Sequence, residues 1–333
     1  MKKLKNKIKL LILIVSFFVV VGCNKANDPK KQVLNSLKDV NSYHLEATMT
    51  VYNDEDKYDY NLDVLYKKED MFRVSMKNKA NNHEQIVLRN EEGVFVLTPS
   101  LNKSFKFQSE WPYNDSQAYL LQTVIKDIKD DKDSMLIETD EGNMIKSKVN
   151  YLNNAKLVEQ NVYLDKDNQI VKVEVVDKNG TAQIVVNVSS CTYNKDIDDE
   201  EFKVDNNMTV SNNYDQDYPK EISSIVYPLY IPDNTYLTSQ DKVKKTDGER
   251  VILNFSGDKT FTIIEETASV SEDNSIVPMS GSIYQIADVF GVKEENSISW
   301  ISNGIEYYVV SEDLTQEELA SVANSMATLP VAK

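Results

Sequence analysis

Hydrophobic residues follow two different periods along the chain, and each period predicts one kind of element. In residues 30–40, Val33, Leu34, Leu37 and Val40 recur every three or four positions, which predicts an amphipathic helix. From Tyr43 onward the period becomes two, as in half-buried strands. This part of the chain is therefore predicted to form an antiparallel sheet, with strands at 44–52, 58–68, 71–77, 84–90, 93–99 and 103–108.

A second helix is predicted after Asn114, Asp115 and Ser116, because such side chains favour a helix start. Its apolar stripe consists of Leu120, Leu121, Val124, Ile125 and Ile128. Strands resume at 134–140, 144–151, 156–164, 169–176 and 181–190. In the fourth of these, one face is expected to carry Val171, Val173 and Val175 and the other Lys172 and Glu174. This alternation predicts a sheet with one buried and one solvated face.

The chain is predicted to divide near Asp215, because acidic and polar residues dominate from 194 until Ile222. Beyond the boundary we predict a small α+β unit, with a strand starting at Tyr236, strands at 250–257 and 259–269, a hairpin over 299–311 turned at Ser302-Asn303-Gly304, and a helix over 314–329. Thr315 and Glu318 fit a capping box at the start of that helix. The predicted organisation is a leader (1–22), a tether (23–30), a first domain (31–214) and a second domain (215–333).

The first 23 residues have the order of an export signal. Five lysines precede residue 10, an apolar run follows to Val21, and Gly22 stands before Cys23, which indicates a signal peptide. Val20-Val21-Gly22-Cys23 resembles the bacterial lipobox, in which the thiol receives a diacylglycerol before cleavage makes cysteine the first residue. The alternative is an ordinary secretory signal with a chance cysteine. Two acyl chains would suffice for stable anchoring.

Composition narrows the classes of partner. The formal charge is −16, and loss of the lysine-rich leader would make it more negative. Nucleic acid is therefore excluded as a partner, since phosphate binding needs a basic surface. Attachment to an anionic membrane would depend on the lipid. With Cys23 acylated, Cys191 is the one remaining thiol, so no intramolecular disulfide can form, and we interpret Cys191 as a half-buried structural cysteine in preference to a reactive one.

Candidate catalytic chemistry is sparse. The two histidines, His44 and His83, lie in different predicted surroundings, which disfavours a joint metal site. The sequence contains no nucleophile elbow, zinc-protease motif or glycine-rich phosphate loop. Asp165 and Asp167 fit a hairpin turn better than a calcium loop, because Ile170 occupies the position that needs glycine. Paired carboxylates stay open as an alternative, although a solvated acidic surface is favoured. We predict no enzyme activity, no catalytic residues, no metal and no cofactor.

Residues 105–133, with their Trp111-Pro112 corner and the following helix, resemble the LolA/LolB-like lipoprotein superfamily. They are more closely similar to the YdcC-type lipoproteins of spore-forming Firmicutes, a group related to the germination lipoprotein GerS. The resemblance covers about residues 30–205, and the two-domain arrangement is also similar to that of the periplasmic regulator RseB. The tail resembles a small domain of unknown function found on Gram-positive lipoproteins.

The resemblance implies a curved antiparallel half-barrel, lidded by helices, with an apolar concave face that holds acyl chains in the carrier members. The stripe Leu120, Leu121, Val124, Ile125 and Ile128 would then line a cavity or, as we favour, pack the core. Trp111 would line the same cavity or cap the sheet edge. The residue before a proline is biased toward extended geometry, so we favour a corner for Trp111.

Two functions remain open at this stage. The first is a non-enzymatic lipoprotein on the outer face of the cytoplasmic membrane, or in the forespore or spore envelope, which binds and regulates an envelope or cell-wall enzyme such as a cell-wall hydrolase. The second is a carrier or sensor of a lipid or other hydrophobic ligand. A carrier needs a large open apolar cavity, whereas a partner-binding module uses exposed sheet edges. A homodimer formed through sheet edges is compatible with the first function.

Overall fold

A computed structural model describes residues 28–53, 56–140, 142–151, 154–208, 219–270, 276–286 and 289–326. The predicted α+β class is confirmed, because two large open antiparallel sheets dominate and a few helices pack on them. The predicted leader, the attachment residue Cys23 and the boundary at Asp215 lie outside the described residues.

Most of the helices and strands follow the order that the hydrophobic periods indicate. The described residues contain two short 3-10 helices (Pro99–Leu101 and Asp199–Phe202) and four α-helices: α1 (Pro29–Asn35), α2 (Leu121–Asp130), α3 (Val204–Met208) and α4 (Gln316–Met326). The strands of the first part of the chain are β1 (Ser42–Asn53), β2 (Asp56–Lys67), β3 (Met71–Asn78), β4 (Glu84–Asn90), β5 (Gly93–Thr98), β6 (Lys103–Phe107), β7 (Met135–Thr139), β8 (Gly142–Lys148), β9 (Glu159–Leu164), β10 (Ile170–Val176) and β11 (Ala182–Tyr193). The strands of the second part are β12 (Thr235–Lys245), β13 (Gly248–Gly257), β14 (Phe261–Thr267), β15 (Ile276–Met279), β16 (Ser282–Ile286), β17 (Val289–Lys293), β18 (Ser297–Ser302) and β19 (Ile305–Val310).

The larger sheet has twelve strands in the order β15-β6-β5-β4-β3-β2-β1-β11-β10-β9-β8-β7. Its neighbouring strands pair antiparallel except β15, which runs parallel to β6 and comes from the second part of the chain. The smaller sheet has the order β12-β13-β14-β19-β18-β17-β16. Phe290 and Val292 of β17 are buried in the core of the larger sheet, so the two parts of the chain share packing as well as a strand.

Each face of the larger sheet is covered differently. Its concave face carries the main core, over which α1 and α2 lie. Its opposite face carries a smaller cluster, where Ile197, Phe202 and Met208 cover residues of β2, β4 and β5. Residues 196–208 lie in the acidic and polar stretch that precedes the predicted boundary near Asp215, and the structure packs them on the larger sheet. Their few apolar side chains are buried against the sheet, and their acidic side chains face outward.

Two further local predictions were wrong for identifiable reasons. Asn114, Asp115 and Ser116 do not cap α2, because residues 117–120 form a turn and the helix begins at Leu121 without a side-chain cap. The hydroxyl of Thr123 closes this turn by donating to the carbonyl oxygen of Gln117 (2.7 Å). Val171 is exposed and does not share a face with Val173, because the pairing of β9 with β10 is irregular between Ile170 and Lys172.

The second part of the chain contains predicted and unpredicted elements. The hairpin of β18 and β19 turns at Asn303 and Gly304, both with positive φ (51° and 76°), as a two-residue turn requires. The capping box of α4 is confirmed, since the Thr315 amide donates to the Glu318 carboxylate (2.8 Å) and the Glu318 amide to the Thr315 hydroxyl (3.2 Å). Strands β15, β16 and β17 were not predicted. They are four or five residues long, too short for a clear alternation.

Candidate functional site

The stripe of α2 faces the concave side of the larger sheet. Leu120 and Ile128 at its two ends are 0% and 1% exposed. All five stripe residues are buried in the core that the sheet forms with Tyr43, Phe72 and their neighbours. These side chains pack directly on the sheet, so α2 closes the apolar face with its own residues.

Trp111 lies at the end of a row of aromatic rings that runs along the concave face. Its ring meets Phe72 edge-on at 6.0 Å, and Phe72 is followed by Tyr66 and Tyr43. The backbone is held on both sides, since the Trp111 amide donates to the Ser109 hydroxyl (3.1 Å) and its carbonyl oxygen accepts from Arg89. The bond to Pro112 is cis. The indole N–H is buried and has no hydrogen-bond partner in the described residues.

A cavity of about 250 Å³ lies where the two parts of the chain meet. Val51 and Ile184 of the larger sheet form one side, and Ile283 and Phe290 of the β16–β17 hairpin form another; Trp111 also lines it. Much of the remaining lining is polar, with the carboxamides of Asn114, Gln117, Asn154, Gln183, Gln285 and Asn324. A site of this size and polarity is smaller and more polar than the pockets of typical apolar ligands.

Asp127 is the buried carboxyl group of α2. It is 9% exposed, and one of its oxygens has no hydrogen-bond partner in the described residues. Loss of hydration on burial raises the pKa of Asp127 to about 6. A hydrogen bond with Ser116 acts in the opposite direction and lowers this pKa. The group lies on a helix that is packed into the core.

Side chains on the convex face form the one candidate metal cluster found among the described residues. Ligand atoms of His44, Glu46 and Asp63 lie within 4.8 Å of one another. The arrangement favours an ion-pair network over a metal. Asp63 pairs with His44 (2.7 Å) and with the Arg73 guanidinium (2.8 Å), and the Lys195 ammonium lies 2.8 Å from the second ring nitrogen of His44. Two cationic groups, Arg73 and Lys195, therefore already contact the side chains that would have to bind a metal ion.

The remaining thiol, Cys191 on β11, is half-buried and packs against the main core. Burial raises its pKa, so the thiolate that would make it reactive is disfavoured. Its partner strand is β1, where Leu45 lies opposite. The placement agrees with a structural cysteine.

The smaller sheet is closed by a segment without helix or strand. The Ile222 amide donates to the Glu249 carboxylate (2.9 Å), and the Val226 amide donates to the Glu265 carboxylate (2.8 Å). Glu265 is fully buried, and burial raises its pKa to about 7. Lys242 pairs with Glu249 at 2.7 Å. Two inward-facing carboxylates thus hold residues 222–226 on the sheet.

Immediately after this segment, large apolar side chains are exposed. Leu229 is 69% exposed and Tyr236 is 64% exposed, although large apolar residues are usually buried. We call this surface the 227–237 patch; it consists of Tyr227, Leu229, Tyr230, Ile231, Tyr236 and Leu237. It borders β12, an edge strand of the smaller sheet. Sequence analysis did not identify the patch, because burial cannot be read from an irregular segment rich in proline.

The described residues therefore define an α+β protein of two open antiparallel sheets, in which a helix closes the apolar face of the larger one. Among these residues, none of the helices has the length and apolar content of a membrane span.

A family model described as "Sporulation protein YdcC-like" matches residues 3–202. The chain belongs to this family. It is 33% identical over 332 residues to the sporulation protein YdcC of Bacillus subtilis (strain 168), with 98% of each chain covered. The YdcC-type resemblance found in the sequence is thereby confirmed.

Solved structures with similar chain courses include the MucA/MucB complex of Pseudomonas aeruginosa, with 11% identity, 90% of this chain and 98% of that chain covered, and a TM-score of 0.33. A LolA superfamily protein from Nitrosomonas europaea has 14% identity, covers 54% of this chain with 99% of its own, and has a TM-score of 0.31. The complex of the CwlD amidase of Clostridioides difficile with the GerS lipoprotein has 15% identity, with coverage of 50% and 92% and a TM-score of 0.21.

Proposed function

We propose that this protein is a non-enzymatic envelope lipoprotein that is anchored through Cys23 to the outer face of the cytoplasmic membrane and binds a protein partner during sporulation. The anchor is supported by the order of charge, apolar run, small residue and cysteine in residues 1–23. The setting in sporulation is supported by the 33% identity to the B. subtilis sporulation protein. The forespore or spore envelope is the narrower location that this relationship suggests.

The observation that carries partner binding is the filled concave face. The stripe of α2 is buried in the core of the larger sheet, and the cavity that Trp111 lines measures about 250 Å³ with a lining that is about half polar. A carrier of acyl chains needs more apolar space than this. Large apolar side chains are accessible instead on the outside, and six of them lie in the 227–237 patch.

The 227–237 patch has the character of a protein-binding surface. Aromatic side chains such as tyrosine are enriched where proteins bind each other, and exposed large apolar side chains are typical of such sites. The neighbouring strand β12 carries Lys242, Lys244 and Lys245 at its far end. These lysines disfavour edge pairing there and leave the uncharged end beside the patch as the contact surface. The proposed partner is an envelope or cell-wall enzyme, such as a cell-wall hydrolase, which the protein regulates.

Site-specific photo-crosslinking in sporulating cells tests this proposal. A photoreactive residue at Leu229 or Tyr236 should capture the partner, whereas the same residue at Val171, which is 38% exposed on β10 of the larger sheet, should not. A discrete adduct from the first two positions, identified as an envelope enzyme by mass spectrometry, supports the proposal. Adducts that are absent or the same at all three positions contradict it.

The anchor is tested separately. Cys23→Ala should leave folding intact, release the chain from the membrane fraction and abolish labelling by radioactive lipid precursors. A variant that stays lipid-labelled and membrane-bound would contradict the assignment of Cys23.

A hydrophobic ligand is the second candidate, favoured by the cavity that Trp111 lines between the two parts of the chain. Native mass spectrometry of residues 24–333, before and after organic extraction, distinguishes it. A stoichiometric lipid mass that disappears on extraction would make the carrier function the leading one. A bare mass of monomer or dimer favours partner binding.

A further inference from the structure

The position of α1 determines where the proposed anchor joins the folded protein. Asp28 caps this helix, since its side chain accepts the amide hydrogens of Lys30 (3.1 Å) and Lys31 (3.3 Å). The Lys30 ammonium donates to the carbonyl oxygen of Ser134 at 2.7 Å. Ser134 directly precedes β7, the terminal strand at one end of the larger sheet. The chain therefore enters the fold beside this edge strand.

Strand β7 exposes apolar side chains on both of its faces. Met135 is 55% exposed and Leu136 is 36% exposed. Met135 lies opposite Lys146, and Leu136 lies opposite the buried Ile145, so the two side chains point to different faces of the sheet. An exposed apolar edge strand is a liability in water. Nothing in the described residues covers this edge.

Several charges near β7 are paired within the protein, whereas Glu138 on β7 itself is exposed and forms none of the ion pairs found among the described residues. Asp131 accepts the Lys148 amide (2.9 Å), Asp133 lies 3.3 Å from the Lys148 ammonium, and Lys126 pairs with Asp130 at 3.0 Å. These contacts reduce the repulsion that isolated carboxylates would experience from an anionic lipid surface.

We propose that the β7 edge is the face that contacts the lipid bilayer, with Met135 and Leu136 inserted among the headgroups. The proposal rests on the proposed acylation of Cys23. Five residue steps separate Cys23 from Asp28, and an extended chain of that length spans at most about 17 Å. The corner formed by α1 and β7 is therefore held near the membrane. Apolar side chains at such a surface insert about 5–10 Å into the interfacial region.

Exposed apolar residues at the opposite end of the larger sheet are farther from the tether than β7 in the order of strands. Strands β6 and β15 form that end, with the smaller sheet attached there. Leu229, the most exposed of the large apolar residues, belongs to the part of the chain that forms the smaller sheet. Leu229 is therefore a matched control for Met135 and Leu136. It is also apolar and exposed, but it lies outside the larger sheet, whose β7 edge adjoins the tether.

Site-directed fluorescence on vesicles tests the proposal. The full chain, carrying Cys191→Ser, is produced with its own leader in a Gram-positive host, and a nitrobenzoxadiazole label is placed at Met135→Cys, Leu136→Cys or Leu229→Cys. The lipidated proteins are reconstituted into phosphatidylglycerol–phosphatidylethanolamine vesicles, with and without spin-labelled acyl chains. We expect the labels at 135 and 136 to emit at shorter wavelength and to be quenched by the spin-labelled lipid, and the label at 229 to be quenched by iodide alone.

The possible results distinguish a failure of the proposed bilayer contact from a failure of the proposed anchor. If the protein floats with the vesicles and carries the lipid mass, but labels at 135 and 136 respond to iodide as the label at 229 does, the bilayer contact is wrong and the anchor stands. If the protein neither floats nor carries the lipid mass, the anchor itself is wrong and the contact falls with it. Flotation that persists after Leu136→Glu, together with loss of quenching at 135, would support the contact further.

Discussion

The two sheets are closed by different physical means. Over the larger sheet lies α2, whose stripe of five apolar side chains is buried in a continuous core. Over the smaller sheet lie α4 and the segment 222–226, whose amides donate to the inward-facing carboxylates of Glu249 and Glu265. Apolar burial is insensitive to pH, whereas a buried carboxylate changes charge within the range in which its pKa lies.

The difference teaches where each half of the molecule is vulnerable. The larger sheet depends on the shape and apolarity of one helix, so a single charge there removes its main contact. The smaller sheet depends on hydrogen bonds to carboxylates, so its stability responds to pH more strongly than that of the larger sheet, in which Asp127 of α2 is the buried carboxyl group. The two tryptophans report the halves separately, because Trp111 lies in the first core and Trp300 in the second.

The largest expected effect comes from Val124→Asp. Val124 is 1% exposed on the inner face of α2, and an uncompensated buried charge costs about 3–5 kcal/mol. We expect the Trp111 fluorescence transition to shift to much lower urea, or the first sheet to be unfolded outright. Lys126→Ala, on the solvent face of the same helix, is the control and should change stability by about 0.5 kcal/mol or less. Wild-type stability of Val124→Asp would mean that α2 is not packed as described.

The second prediction concerns Glu265. Burial raises its pKa from 4.5 to about 7, so the folded state holds its proton to higher pH than the unfolded chain. The free energy of unfolding should therefore fall as pH rises from about 4.5 to about 7, by about 3 kcal/mol. Glu265→Gln keeps the acceptor for the Val226 amide and removes the charge, so it should be more stable than wild type at pH 8 and lack this decline. Urea titrations followed at Trp300 measure both; an unchanged pH profile would contradict the assignment.

A smaller effect of the same sign is expected at Asp127. Its pKa rises from 3.8 to about 6, and its residual exposure lessens the cost of ionisation. The first sheet should lose about 2 kcal/mol of stability as pH rises from about 4 to about 6. Asp127→Asn should recover this at pH 7 in the Trp111 transition and leave the Trp300 transition unchanged. A change at Trp300 instead would show that the two halves do not respond separately.

The smallest effect is expected at the start of α4. Thr315→Ala removes the hydroxyl that accepts the Glu318 amide, and loss of such a cap costs about 1 kcal/mol. Thr315→Ser retains the hydroxyl and should be close to wild type. Thermal denaturation monitored at Trp300 compares the two variants, and equal stabilities would mean that the capping box contributes nothing.

The sequence predicted those elements whose signal is local. Four features each depend on residues close together in the chain: the strand periods, the stripe of α2, the turn at Asn303 and Gly304, and the Thr315–Glu318 capping box. The core position of Leu120 to Ile128 follows from the same stripe, although the stripe alone does not say whether a cavity lies beneath it.

Features that depend on distant residues were missed. Val171 is exposed because of a register shift between two strands, which leaves no mark on the alternation of β10 itself. Ile197, Phe202 and Met208 cover a sheet face that is formed by residues 65–97, about a hundred or more positions earlier in the chain. The 227–237 patch and the cavity arise where separate parts of the chain meet, so neither has a periodic pattern.

The parallel pairing of β15 with β6 has a consequence for how the protein is made. During synthesis the residues of β1 to β11 emerge long before residues 276–279, so the outer edge of β6 stays open during that interval and invites pairing with other chains. A fragment that stops at the predicted boundary of residue 214 would keep this edge open permanently and would also lack Phe290 and Val292 from its core. We expect such a fragment to aggregate.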